Sequence, residues 1–243
     1  MNLPLRRPSF LHKAALPFAA TVLALGATVP AGIAGAAPAQ ADQATSAIVD
    51  STRHEGKYLS LTFDDGPDPV NTPKLLAVLE KHHVKATFCL WGDHVKQHPE
   101  IVRQIADAGH LLCNHTMHHD NMGTWGAEAI RVDLEETSAV IREAVPEAKI
   151  NYFRAPYGSW GQTPEVAASM GMQPLGWATV VGDWDPPGTA ELVRRIREGI
   201  TPGGVVLLHD GGGDRSQTVE AVDQVIPELQ SEGWRFDRPA RRG

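Results

Sequence analysis

The chain has 243 residues, 42% of them hydrophobic and 21% charged, with 22 basic and 29 acidic side chains and two cysteines. That is enough apolar material for one or two domains with a substantial core, and it excludes collagen-like, disulfide-framework and wholly disordered classes. A net charge of −7 argues against sequence-independent binding of nucleic acid, which needs a basic surface to neutralise phosphates.

The charge is unevenly placed. Residues 1–41 hold three cations, Arg6, Arg7 and Lys13, and no acid, so the rest of the chain is three charges more acidic than the whole, at −10. The basic start is followed by an apolar run from Ala14 to Ala27 and a small-residue stretch ending in Ala37-Pro38-Ala39-Gln40-Ala41. This is the layout of a secretory signal peptide over residues 1–41, with A-x-A cleavage after Ala39 or Ala41. The rival is a transmembrane anchor, but the run is short and rich in Ala and Gly for about 30 Å of hydrocarbon. Arg6-Arg7 with Phe10-Leu11 is close to a twin-arginine signal, although the phenylalanine falls one position late. Export leaves two readings of Cys89 and Cys113, both in apolar runs: a disulfide, or two small hydrophobes in a core.

Residues 42–57 are polar without a clear period and read as a flexible lead-in to a domain over residues 58–239. From Tyr58 onward short apolar runs alternate with amphipathic ones. Strands are expected at Tyr58 to Phe63, Ala86 to Leu90, Leu111 to Cys113, Asn151 to Arg154, Gln173 to Gly176, Val205 to His209 and Trp234 to Phe236. Helices are expected from Thr72-Pro73 to His82, from Gly126 to Val145, after Thr163-Pro164 and Thr189-Ala190, and from Gln217 to Glu232. About seven such alternations in roughly 180 residues imply a parallel α/β sheet, because parallel neighbours need a crossover. Either an open doubly wound sheet or a barrel fits. No Gly-x-Gly-x-x-Gly follows the first strand, which removes the main support for a dinucleotide fold. Both arrangements gather chemistry at the carboxyl ends of the strands.

Those ends carry unusual side chains. The first strand runs into Asp64-Asp65-Gly66-Pro67, where two adjacent carboxylates serve one site only if the strand breaks; a plain turn is the alternative. After the third strand His115 and His119 stand four apart and converge on one ion if the segment makes a helical turn, with His118 left as a bystander or substrate contact. Two imidazoles with Asp64 or Asp65 would give three ligands and open positions, the form of a catalytic metal; a structural zinc would normally have four protein ligands. Arg154 after the fourth strand presents a fork suited to a carboxylate. Asp183-Trp184 lie in a later loop. His209 stands where the inward line Val205, Leu207, His209 meets the sixth strand's carboxyl end, suited to moving protons near neutral pH or to a hydrogen-bonded core role.

Taken together, Thr62 to Pro67, His115 to His119, Arg154 to Gly158, Asp183-Trp184 and Leu207 to Asp210 give the chain a resemblance to the NodB-homology polysaccharide deacetylases, carbohydrate esterase family 4. It spans Tyr58 to Phe236. The resemblance implies a distorted (β/α) barrel of about seven parallel strands and a divalent metal held by Asp65, His115 and His119: zinc first, with cobalt or nickel also suited to such ligands. It further implies Asp64 as general base oriented by Arg154, and His209 as general acid supported by Asp183. Leu207 and Trp184 would line a pocket for the acetyl methyl, and the Tyr157 N–H would donate to the oxyanion. One departure is Val180, where many members carry an aspartate before the Asp-Trp pair.

The activity so implied is removal of acetyl groups from N-acetylglucosamine polymers or oligomers of chitin type, by a secreted monomer without nucleic-acid or membrane partners. Peptidoglycan deacetylation and ester cleavage on acetylxylan are the alternatives. A non-catalytic glycan-binding protein would be expected to lack a ligand or the base. An iron-oxygen site would share the two-histidine, one-carboxylate set but leave Arg154, Asp183 and His209 without a use.

Overall fold

The structure is a computed structural model and describes residues 44–241; the expected signal peptide lies outside the described residues. Strand β1 (Tyr58–Asp64) is followed by α1 (Asn71–Lys81), β2 (Thr87–Leu90), α2 (Gly92–Gln97), α3 (Pro99–Asp107) and β3 (Leu111–Asn114). Then come α4 (Ala127–Ala144), β4 (Ile150–Phe153), α5 (Thr163–Ser169), β5 (Gln173–Pro174) and β6 (Thr179–Val180). The chain ends with α6 (Thr189–Gly199), β7 (Gly204–His209), α7 (Ser216–Ser231) and β8 (Arg235–Phe236). The strands pair in parallel in the order β5-β4-β3-β2-β1-β7-β6, with β8 beside the start of β1. This is the expected distorted α/β barrel.

Alternation along β1 divides the sheet's two faces. Leu59, Leu61 and Phe63 enter the large core shared with the helices, together with Leu75 and Leu79 of α1, Ile130, Leu134 and Ile141 of α4, and Val222 and Leu229 of α7. Ser60, Thr62 and Asp64 take the opposite, inner face, in register with Val205, Leu207 and His209 of β7. There Cys89, Cys113, Tyr152, Leu175, Val205 and Val49 form a second, smaller apolar cluster. Cys89 and Cys113 are direct partners across β2 and β3 and are joined as a disulfide.

Several boundaries differ from expectation for identifiable reasons. Helix α1 begins at Asn71, where Asp68 accepts the N–H groups of Val70 and Asn71; Thr72 is instead buried, its hydroxyl donating to Asp210. Strand β6 is only two residues long, too short to show a period. Helices α2 and α3, between β2 and β3, are not among the helices expected by name from the sequence.

The larger correction concerns the lead-in. Over its described part it is not a loose tether but a stitch between β5, at one edge of the sheet, and β7, next to the other edge. Val49 pairs with Leu175 beyond β5 while Ser51 pairs with Gly204 at the start of β7, and Val49 is wholly buried. The Val49 N–H donates to Pro174 O, Gly176 N–H to Val49 O, and Val205 N–H to Asp50 O. Single bridges of this kind leave no alternating pattern in sequence. The segment nevertheless fills the inner face at the amino end of the barrel. Val49→Ala is therefore expected to destabilise the protein by about 2 kcal/mol in urea unfolding, from lost burial and the cavity left behind. A loss below about 0.5 kcal/mol, as for a surface substitution, would contradict this role.

Candidate active site

Asp64 is the last residue of β1, in register with His209, the last of β7; His115 follows β3 directly and Arg154 follows β4. The strand ends thus place these side chains on one rim. Asp65 brings a second carboxylate there by a left-handed turn, φ +70°, which breaks the alternation that would otherwise send it to the far face. The turn is held against the loop after β7: Asp64 O accepts the N–H groups of Asp210 and Gly211. A side chain on Gly211 would put its Cβ 2.2 Å from Asp65 O, so only glycine permits the approach.

Asp65, His115 and His119 form the one cluster among the described residues able to hold a metal, their ligand atoms lying within 4.8 Å of one another. Asp65 Oδ1 is 3.4 Å from His115 Nε2 and 3.2 Å from His119 Nε2. It is buried without a hydrogen-bond partner, a cost that a cation between the three residues would remove. His115 Nδ1 donates to Arg154 O at 2.7 Å, leaving the Nε2 lone pair for a ligand. His119 Nδ1 lies 3.1 Å from the Tyr157 hydroxyl. Burial pushes the Asp65 carboxyl up, but its contacts with His115 and His119 outweigh burial and hold it well below the usual range. The donor set fits a divalent ion.

The convergence of the two histidines is real, but the expected helical turn is not its cause. The segment is a loop with left-handed Thr116 and His119, φ +68° and +58°. Its N–H groups are taken by side chains: Thr116 donates to Asn114 Oδ1 and Met117 to Asp133 Oδ1. Asn114 in turn donates to Leu134 O and Ser138 Oγ, fastening the loop to α4. His118 turns outward to Asp93 at 2.9 Å.

Arg154 is wholly buried and spends its donors on four partners: Asp64 Oδ1 at 2.7 Å, Thr62 Oγ1 at 2.9 Å, Leu175 O at 3.0 Å and Gly176 O at 2.9 Å. One oxygen of Asp64 is thereby fixed, while Oδ2 faces His115 Nε2 at 3.7 Å. Across the rim, Asp183 is buried and doubly engaged. Its Oδ1 lies 2.8 Å from His209 Nδ1, and Oδ2 accepts the His209 N–H and the Thr218 hydroxyl. Burial lowers the His209 pKa, but the Asp183 bond and the charges of Asp183, Asp64 and Asp65 raise it above the ordinary histidine value. With Nδ1 committed to Asp183, Nε2 is the position from which a proton can be given.

The remaining predicted residues surround this pair. Trp184, 52% exposed, sets its ring edge-on to His209 with centroids 5.6 Å apart. Leu207 is buried two residues below His209 on the inner face yet belongs to neither apolar cluster. Tyr157 is 72% exposed on a short 3-10 turn, Pro156–Gly158, with φ +59°. Val180, the departure from the family pattern, is exposed on β6. Four of the five left-handed non-glycine residues described, Asp65, Thr116, His119 and Tyr157, lie at this site.

Sequence reading missed the residues that hold the site from behind. Arg215 is buried and donates to Gly211 O, Gly212 O and Asp183 O, tying the loop of Asp183 to the loop after His209. The only hint was a single arginine after Gly211-Gly212-Gly213. His94 Nδ1 lies 2.7 Å from Asp65 O, and the Trp91 ring sits between His94 and His119. Asp210 is fully buried; burial, joined by nearby carboxylates against the Thr72 bond, pushes it up to about 7.

Comparison with known proteins agrees with this geometry. The sequence profile of the family described as polysaccharide deacetylase matches residues 51–175. A chitooligosaccharide deacetylase of Rhizobium leguminosarum bv. trifolii is 38% identical over 198 residues, covering 76% of this chain and 91% of that protein. A solved peptidoglycan N-acetylglucosamine deacetylase superposes with TM-score 0.73 at 32% identity, over 77% of this chain and 88% of that one. A pseudoenzyme of carbohydrate esterase family 4 from Bacillus anthracis superposes with TM-score 0.69 at 32% identity, over 74% of this chain and 63% of its own. Backbone likeness alone therefore does not separate active from inactive relatives. On sequence match, barrel and relatives alike, the chain belongs to the polysaccharide deacetylase family, carbohydrate esterase family 4.

Proposed function

We propose that this protein is a secreted, metal-dependent deacetylase that removes acetyl groups from N-acetylglucosamine oligomers or polymers of chitin type and releases acetate. The observation that carries the reading is the pair of oppositely prepared proton carriers beside one ligand set: Asp64 fixed by Arg154, and His209 charged by Asp183. Asp65, His115 and His119 would hold the ion, with zinc ahead of cobalt or nickel. When bound, a divalent ion there supplies a Lewis acid that polarises an acetamide carbonyl and lowers the pKa of bound water.

The chain's own residues supply the rest. Asp64 takes a proton from the attacking water through Oδ2, its other oxygen being held by Arg154. The Tyr157 N–H donates to the developing oxyanion. His209 gives the Nε2 proton to the departing nitrogen, so that the amide C–N bond breaks to acetate and a free sugar amine. Leu207 and Trp184 confine the acetyl methyl. The 38% identity to a chitooligosaccharide deacetylase over 91% of that protein supports chitin-type chains ahead of peptidoglycan and acetylxylan. Secretion is supported by the signal-like residues 1–41 and by paired Cys89 and Cys113, which suit an oxidising compartment. Among the described residues no helix is long and apolar enough to cross a membrane.

Acetate release from N-acetylglucosamine oligomers is expected to stop in EDTA and to return with zinc or cobalt. Asp64→Asn is expected to lose on the order of 10²–10⁴-fold in turnover while metal content by elemental analysis stays at the wild-type level. Wild-type turnover in that variant would refute the base assignment. Because protonated His209 is the active form and its pKa is raised, the rate should be full below that pKa and fall as pH rises through it. Asp183→Asn removes the main raising partner, so the alkaline limb should move to lower pH; an unmoved limb would remove His209 as the acid.

A further inference from the structure

The end of the barrel opposite the catalytic rim holds a second concentration of charge. Two contiguous cavities of about 200 and 280 Å³ lie where β2, β3 and β4 begin. Arg53, Lys85, Thr87 and Arg238 line the first, and Arg53, Arg238 and Arg241 line the second. Four cations thus share two adjoining cavities in a chain that carries −10 beyond residue 41.

Little in the structure neutralises them. Asp237 is the one carboxylate lining either cavity, and it is already engaged: Oδ2 accepts the His54 N–H and lies 2.7 Å from the His54 ring, with Arg53 at 3.5 Å from Oδ1. Lys85 and Arg241 donate only to neutral carbonyls, of Ala108 and Gly171. Two further polar atoms of lining residues, Thr87 Oγ1 and Arg241 Nε, are buried without a partner. Buried donors with nothing to donate to are costly and are usually met by a ligand or ordered water. Guanidinium forks beside a hydroxyl and an ammonium match a tetrahedral oxyanion.

We propose that this cationic end binds a diphosphate of the pyrophosphate type, one phosphate toward each cavity, with Arg53 and Arg238 shared between them. Phosphate fits better than carboxylate because each group brings up to two charges against a surplus of about three. The site uses no residue of the catalytic rim, and strands of 4 to 7 residues separate the two ends by roughly 13–23 Å. A diphosphate bound there would leave the catalytic end free.

Isothermal titration of the metal-loaded protein with inorganic phosphate and pyrophosphate tests this. Pyrophosphate is expected to bind at least about tenfold more tightly than phosphate and to weaken sharply in high salt. The double variant Arg53→Ala, Arg238→Ala should lose about tenfold or more in pyrophosphate affinity, with acetate release within about twofold of wild type. Arg197→Ala, an exposed cation on α6, should change nothing. The proposal is overturned if no binding occurs, if binding survives in the double variant, or if EDTA abolishes it, which would place the anion on the catalytic metal. Tighter binding of malonate, a dicarboxylate of similar size, than of pyrophosphate would overturn the choice of phosphate. Because these readouts are binding isotherms, they fail or succeed independently of the deacetylase reading.

Discussion

A single buried cation organises the catalytic end of this barrel. Arg154 is permanently charged and has no access to water, so its cost must be met by partners in fixed positions. It meets that cost by joining three parts of the sheet: Thr62 and Asp64 at the end of β1, its own position beyond β4, and the carbonyls of Leu175 and Gly176 beyond β5. Its own carbonyl accepts from His115, so the same residue also sets the ring of one of the three side chains able to hold a metal. Removing the guanidinium would leave Asp64 as an uncompensated buried charge, the kind of loss that typically costs about 3–5 kcal/mol. Stability and chemistry are therefore coupled at one side chain.

The opposite side of the rim is built on the complementary principle. There the buried charge is the carboxylate of Asp183, and the cation it stabilises is the titrating His209. Thr218 and the His209 backbone N–H take the second oxygen of Asp183, while Arg215 grips the carbonyls of the two loops that meet there. One pair thus fixes a carboxylate with an immobile cation; the other fixes an imidazolium with an immobile carboxylate. Such opposite pairings suit one group to accept a proton and the other to give one.

What could be read from sequence follows from which interactions are local. The alternation of β1 and β7, and the polar residues closing each strand, are short-range patterns, and they suffice to put Asp64, His115, Arg154 and His209 on one rim. The left-handed turns at Asp65, Thr116 and His119 are not legible from residue type, because even Asp and His adopt that region only occasionally, so the spacing of the histidine pair points to a helical turn where a loop stands. Val49 and Arg215 are long-range in another sense. Each acts through contacts with carbonyls and strands distant in the chain, and neither sits in a periodic pattern. The disulfide needed the register of β2 on β3, which sets Cys89 beside Cys113. Charge is also sorted between the barrel's ends, with Asp64, Asp65 and Asp183 at the catalytic end and Arg53, Lys85, Arg238 and Arg241 at the other.

The most direct test of the central claim is an anomalous-diffraction structure of the zinc-loaded protein. The account predicts one ion within about 2.0–2.2 Å of Asp65, His115 Nε2 and His119 Nε2, with Asp64 and His209 beside it but not ligating. An ion bound instead through Asp64 or His209, or one closed off by a fourth protein ligand, would contradict it.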